Sequence, residues 1–500
     1  MDKRMRLFLK ILIIMSLITV QAFVFLVTAD AKLSISEFYV GEGEFTAEGE
    51  IATRYEYWNW FTPSGSIPDN DYDYIFTRTR LGLGLNLPRA QAYLQVQDTH
   101  MWGLPEDAMA AAPQGPLGIG AIYYLHRGDE NSHSTIIRQA YIDISKIFLE
   151  GLSTRLGRFD YVDGLEVTYE NPKVNWLKNM RLAERLIGPF AWSGFCRSFD
   201  GLQVAYDQKG FNLNSTLTHP TQGGFENNAH KTMYDIDLFT LTGTVKYDQW
   251  MPNTEGRMFY FYYEDDRDIP KVDNTPQGSG LNEGAIKIHT IGAHLIRIVE
   301  TESGVFDALF WGAYQTGDWG TLDHRAWATD FEWGFQFSQM VWKPWIRAGY
   351  FVSSGDSDPS DSKHETFYQL LPTARKYCLF PFYNMMNNED LFLQAILKPQ
   401  KEMAIRADLH FLSLNDENDR WYMGAGPSLN KGGIFGYIGR PSNGDDDLAT
   451  VLDLITSYDF SKFLSGTLYW GHAFGKDVIE NIYGDNEDGD YFYAECQIKF

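Results

Sequence analysis

Arginines are the side chains best suited to chemistry in this 500-residue chain. Arg78, Arg80, Arg155, Arg197 and Arg347 fall, by alternation, on the polar side of segments whose other side is apolar. A guanidinium stays charged at every physiological pH and grips a carboxylate through two parallel N–H donors. Several of them around a narrow, low-dielectric passage act on an anion far more strongly than on an open surface. Other chemistries find less support. No GxSxG or HExxH motif occurs. Three isolated cysteines (Cys196, Cys378, Cys496) provide neither a disulfide framework nor a CxxC metal or haem site. A secreted β-rich glycan hydrolase, the rival reading, would need two carboxylates at catalytic separation, with Glu166, Glu184 or Asp200 in that part.

The elements that must position these arginines are β-strands. With 44% apolar and 15% aromatic residues the chain is no solvated coil. Its 66 acidic against 42 basic residues give −24, which removes nucleic acid as a partner. Lys3, Arg4, Arg6 and Lys10 precede an apolar stretch from Ile11 to Val27, and Ala29-Asp30-Ala31 follows. This order predicts a secretory signal peptide over residues 1–31. Ser16, Thr19 and Gln21 interrupt the apolar stretch and favour cleavage over anchoring. The mature chain, 32–500, then carries 38 basic and 64 acidic residues, a net −26. It has no later apolar run long enough for a membrane-spanning helix. Two exported forms remain: a soluble protein, or a transmembrane β-barrel, which satisfies its backbone in lipid by closing on itself.

Alternation decides for the barrel. From Tyr491 to Phe500 one parity reads Phe, Ala, Cys, Ile, Phe and the other Tyr, Tyr, Glu, Gln, Lys. In Tyr74–Asn86, Thr77, Thr79, Leu81, Leu83 and Leu85 oppose Arg78, Arg80, Gly82, Gly84 and Asn86. In Lys343–Ser354, Ile346, Ala348, Tyr350 and Val352 oppose Trp345, Arg347 and Gly349. Similar stretches lie near 45–58, 89–100, 134–147, 151–163, 198–208, 210–219, 236–248 and 256–265. Others lie near 285–299, 304–316, 328–340, 388–398, 401–412, 447–460 and 463–474. They predict an all-β, antiparallel transmembrane barrel of about 18 strands. Short connections such as Pro88-Arg89, Lys209-Gly210, Pro399-Gln400 and Ser461-Lys462 read as periplasmic turns. Ile67–Asp73, Glu264–Asp273, Ser354–Lys363, Asn443–Asp447 and Gly484–Asp490 read as long acidic extracellular loops. Asp356-Ser357-Asp358 and Asp445-Asp446-Asp447 have spacings that would suit divalent cations, though solvated loops bridged to lipid head groups are the plainer reading. No other cofactor is expected. Tyr57, Trp58, Trp60, Trp342, Trp345, Tyr469 and Trp470 suit interfacial girdles, and any that face inward suit sugar stacking. Glu166–Trp192 breaks the strand rhythm, with a helix-compatible run over Asn175–Leu186, and is expected to shape the pore.

Gly151–Arg158, ending in Leu-Gly-Arg, is followed by Glu184-Arg185-Leu186-Ile187-Gly188, by Trp192 and by Arg197-Ser198-Phe199-Asp200-Gly201. This succession resembles the alginate export family of outer-membrane porins. Arg138-Gln139-Ala140-Tyr141, Ser354-Gly355-Asp356, Phe367, Leu371-Pro372 and Asp453–Gly475 extend the resemblance over nearly the whole mature chain. It implies 18 strands and an arginine-lined constriction that draws an anionic polysaccharide across the membrane. Through these motifs it adds Arg138, Arg158, Arg185, Glu184 and Asp200 to the pore-lining set, the acids holding or gating the arginines. Arg138, Arg158 and Asp200 share parity with apolar neighbours, so a bulge or a position at the rim is needed to keep them from lipid.

The expectation is therefore a channel in the outer membrane of a Gram-negative bacterium. Its partners would be lipid and lipopolysaccharide, the barrel-assembly machinery, a periplasmic export partner and an anionic polysaccharide. A general diffusion porin for small solutes or cations is the alternative, because loops this acidic would repel alginate at the outer mouth.

Overall fold

The structure is a computed structural model that describes residues 38–40, 43–64, 69–424, 426–428, 434–484 and 488–500. The expected signal peptide, 1–31, lies outside them. Eighteen long strands of the described residues form the wall. They are β1 Gly43–Asn59, β2 Asp71–Leu87, β3 Ala90–Trp102, β4 Asn131–Ser145, β5 Leu152–Phe159 and β6 Phe199–Asp207. Next come β7 Phe211–Pro220, β8 Ile236–Val245, β9 Thr254–Asp265, β10 Ile286–Glu300, β11 Gly304–Trp319 and β12 Leu322–Phe337. The last six are β13 Trp345–Ser353, β14 Glu389–Gln400, β15 Met403–Ser413, β16 Asp447–Asp459, β17 Leu464–Gly475 and β18 Asp488–Lys499. Each pairs antiparallel with the next, and β18 returns to β1 over Glu50↔Lys499 to Asn59↔Asp490. No edge is left open, which is what a sheet in hydrocarbon requires.

The wall is apolar outside and polar inside. Leu81, Leu83, Ile142, Leu217, Ile291 and Leu393 project outward and are exposed. The alternate positions carry Arg78, Thr216, Thr240, Glu255, Asp307, Glu332 and Arg347, all buried. Eight connections, such as residues 88–89 and 401–402, gather at one end of the barrel, while the described parts of the five acidic loops share the other. The β11–β12 link, Gly320-Thr321, is the one brief connection at the loop end among the described residues.

Two loops do not stay outside. Residues 160–198 run from β5 across the lumen before returning to β6. Within them α1, Pro172–Leu177, starts where the Asn171 side chain accepts from the backbone N–H of Lys173 and Val174, with proline in the first turn. A π-helical turn, Lys178–Leu182, continues it, and Glu184 ends the run at φ 63°. The helical segment therefore begins and ends earlier than its sequence suggests, because the cap at Asn171 and the reversal at Glu184 override propensity. Residues 354–388 form the second inward loop, with Phe367, Leu370, Leu371, Phe380, Phe382 and Met385 all buried.

Candidate functional site

The two inward loops meet in mid-lumen. Ile187 and Leu371 form a parallel bridge, Leu371 N donates to Leu186 O at 2.8 Å, and Gly188 N donates to Leu371 O at 2.9 Å. Thr373 N adds a bond to Glu184 O at 2.9 Å. The Glu184 carboxylate accepts from the Thr373 hydroxyl and takes Lys376 Nζ at 2.8 Å. Glu184, expected to hold an arginine, instead ties one loop to the other.

Charged groups fix the first loop to opposite sides of the wall. On one side Lys178 meets Glu255 at 2.9 Å, Arg181 meets Glu332 at 2.8 Å and Arg185 meets Asp330 at 2.5 Å. Arg257 on β9 reaches back to Asp163 at 2.8 Å and Glu166 at 2.6 Å. On the other side Arg78 donates to the carbonyls of Ala191 (3.0 Å) and Ser193 (3.2 Å), and Arg54 to that of Trp192 (3.1 Å). Gln97 and Thr99 both donate to Gly194 O at 3.0 Å. These are buried charges with partners, so removing one partner strands the other.

Most of the arginines expected in the passage do face it, with their charge already matched. Arg78 pairs with Glu50 at 2.8 Å; Arg80 donates to Gln97 at 2.8 Å and lies 3.0 Å from Cys196 Sγ. Arg155 forks onto Asp143 at 2.7 and 2.8 Å, and Arg347 lies between Asp307 at 3.1 Å and Glu332 at 2.8 Å. Arg138 points inward to Asp160 at 2.7 Å. The β3–β4 register slips at this position: Gln95 faces Gln139 and Val96 faces Ile137, so Arg138 is the extra residue of a bulge.

Arg158 and Asp200 lie elsewhere. They pair directly across β5 and β6, with two bonds at 2.6 and 2.7 Å, and share the outward face of Leu156 and Leu202. Next to them Gly157 opposes Gly201, at φ 128° and 159°. A Cβ at either glycine would come within 2.3 Å of a strand carbonyl, so the wall can be this close only with glycine. The Leu-Gly-Arg and Phe-Asp-Gly motifs thus build one cross-strand clasp near the loop end, outside the passage. The expectation that Arg158 and Asp200 line the pore is corrected here: side-chain parity holds, and an ion pair at the rim satisfies both charges.

Arg197 is different again. It sits in the inward loop two residues before β6, so the loop and not strand alternation brings it to the lumen. The residue is 2% exposed, yet Nε and Nη1 have no hydrogen-bond partner, and among the described residues no carboxylate lies within salt-bridge distance of it. Its guanidinium lies 5.9 Å from the Phe190 ring centre. A cavity of about 40 Å³ opens beside it, lined also by Arg375, Gln369, Tyr437, Phe190 and Asn384. Arg375 bonds only to backbone, donating to the carbonyl oxygens of Phe380 (2.8 Å) and Pro381. Its Nε has no partner either. Larger spaces of about 400 and 580 Å³ open at the short-turn end, the first reaching in to Glu50, Arg80 and Gln95. Sequence reading missed Arg375 and the inward course of the second loop, whose Pro- and aromatic-rich composition carries no strand period.

The acidic loops bring no three metal-ligating groups together among the described residues; Asp445 and Asp447 engage Asn481 and Lys476.

Solved structures share this architecture, one of them the outer membrane protein OpdK. Pseudomonas aeruginosa OpdK, solved with vanillate, is 9% identical with a TM-score of 0.53, covering 91% of this chain and 98% of that one. Acinetobacter baumannii OccAB4 is 9% identical at 0.54, with 91% and 98% covered. Pseudomonas aeruginosa OccD3 (OpdP) is 9% identical at 0.55, with 91% of both chains covered. At such identity the likeness is one of fold. No curated protein matches the sequence. A family profile described as alginate export matches residues 71–488, the span that holds the bulge at Arg138, the Gly157–Gly201 clasp and both lumen loops, and this outer-membrane channel belongs to the alginate export family.

Proposed function

We propose that the channel passes anionic carbohydrate, alginate-like chains or their uronate fragments, and that Arg197 and Arg375 form its anion-selective constriction. The observation that carries this reading is the Arg197 guanidinium, buried beside a cavity with no direct ion pair among the described residues. A buried cation with empty donors is costly unless an anion visits it. The other inward arginines described above are held by Asp or Glu and serve to fix the loops or the wall. Cargo would arrive through the wide short-turn end and leave past acidic loops that repel it, a sense of travel that suits export.

A second reading has its own support. The space beside Arg197 is narrow, about 40 Å³, which suits small carboxylates better than a polymer while the loops stay joined. OpdK, of the same fold, was solved with vanillate, itself a small carboxylate.

Planar-bilayer recordings test both. Anion-selective reversal potentials in a salt gradient, with block by oligouronates deepening as chain length grows, would support the polysaccharide reading. Equal block by a monouronate and a long oligouronate would favour small solutes. Cation selectivity would overturn both.

A further inference from the structure

Three side chains on different elements converge inside the wall. Cys378 lies on the second inward loop, His410 on β15 and Asp453 on β16, and one ligand atom from each lies within 4.8 Å of the others. All three residues are buried, none more than 1% exposed. His410 Nδ1 is taken by the Asp390 carboxylate on β14, at 2.9 Å to each oxygen. That leaves Nε2, which is buried and has no partner. Asp453 Oδ1 accepts from the Tyr469 hydroxyl at 2.6 Å, while Oδ2 accepts from Leu379 N at 2.8 Å and lies 3.8 Å from Cys378 Sγ.

The surroundings are rich in carboxylates. Asp408 stands directly opposite Asp453 in the β15–β16 ladder, and its Oδ1 is buried without a partner. Arg406 pairs with Asp408 through Oδ2. Adjacent like charges on one face of a sheet repel, so Asp390, Asp408 and Asp453 together favour a further positive charge.

We propose that Cys378, His410 and Asp453 bind a zinc-class divalent cation through Sγ, Nε2 and a carboxylate oxygen, stapling the second inward loop to the wall. One sulfur, one imidazole nitrogen and one carboxylate make a borderline-soft donor set that suits zinc or cobalt and disfavours calcium and magnesium. Asp390 supplies the carboxylate behind the histidine that fixes its tautomer and aims Nε2. The donors close in by about an ångström to reach bonding distance, and the thiol releases its proton to solvent as it binds. The inference does not depend on what the channel carries.

Cobalt(II) titration of the full barrel, purified in detergent, tests it. The expected result is one cobalt per chain and a near-ultraviolet thiolate-to-cobalt charge-transfer band that zinc displaces and calcium does not. Cys378→Ser should abolish the band, whereas Cys196→Ser and Cys496→Ser should keep it. Asp390→Asn retains all three ligands and should weaken binding by about 10-fold or more. Absence of the band in wild type, or its survival in Cys378→Ser, would overturn the proposal. Heat-modifiable gel migration reports folding. Should Cys378→Ser not fold, Asp390→Asn decides, and unchanged affinity there overturns the proposal too.

Discussion

Replacing Arg197 with methionine separates a functional arginine from a structural one. Nε and Nη1 of Arg197 are both buried and unpartnered. Each such donor costs about 1–3 kcal/mol, so removing both relieves about 2–6 kcal/mol. Lost packing against Phe190 takes some of that back, and the expected net is a barrel more stable by about 1–3 kcal/mol. Arg347→Met is the control. It leaves Asp307 without its cation, while Glu332 keeps Arg181, and breaking a buried pair in this way costs about 3–5 kcal/mol. Urea titrations of the barrel in lipid vesicles, followed by gel migration and tryptophan emission, should move the two variants in opposite directions. Selectivity must move as well. A unit charge about 4 Å from a passing anion is worth up to about 4 kcal/mol at an effective dielectric of about 20. Salt screening reduces this, and even a third of it changes anion-to-cation permeability about tenfold. Arg197→Met that destabilises the barrel and leaves the reversal potential unchanged would refute the reasoning, because the arginine would then be a brace with hidden partners.

Further predictions follow from other contacts. Arg158→Gln should leave reversal potentials unaltered, since its guanidinium faces outward against Asp200; a shift toward cations comparable to that of Arg197→Met would return it to the filter. Arg78→Ala removes two bonds to the carbonyls of Ala191 and Ser193, each worth about 1.5–3 kcal/mol from a charged donor. Glu50 keeps Arg80, so the barrel should fold while single-channel records show larger, flickering conductance; records identical to wild type would exclude Arg78 as a loop tether. At the start of the second inward loop, burial and then the neighbouring Asp419 carboxylate push Asp356 up to about 7. Asp419 is itself raised to about 6 by burial. The folded form of a raised carboxyl holds more protons than the unfolded one, so this contact is tightest below about pH 4 and weakens as pH climbs to about 7. Hydrogen exchange over residues 354–363, corrected for intrinsic rates, should show protection at about pH 5 and less at about pH 8. Protection that is constant with pH would disprove it, and Asp356→Asn should flatten the dependence.

Strand positions were legible because alternation is local. Leu81 and Leu83 against Arg78 and Arg80, or Ile346 and Tyr350 against Arg347, give the inward face of the wall from a single segment. What the inward arginines touch was not legible. Arg78 meets Glu50 and Arg155 meets Asp143 only once register between strands is fixed, and no single strand carries that. Arg138 turns inward on one slipped residue. Arg158 shows the opposite outcome: its motif drew it into the pore, while its parity with Leu156 already placed it outside. Arg197 reaches the lumen through the path of a loop, and the burial of residues 365–388 depends on contacts with Leu186 and Gln315 that lie far away in sequence.

The bridge between Ile187 and Leu371 makes the obstruction an arch and not a flap. Each half springs from a different part of the wall, and neither can swing aside while the keystone of backbone bonds holds. Transport through such a pore would depend on both halves yielding in concert, with the surrounding cylinder left rigid. Traffic would then be governed by how often the span parts, and a cargo able to compete for the carbonyls at its centre would act as its own key.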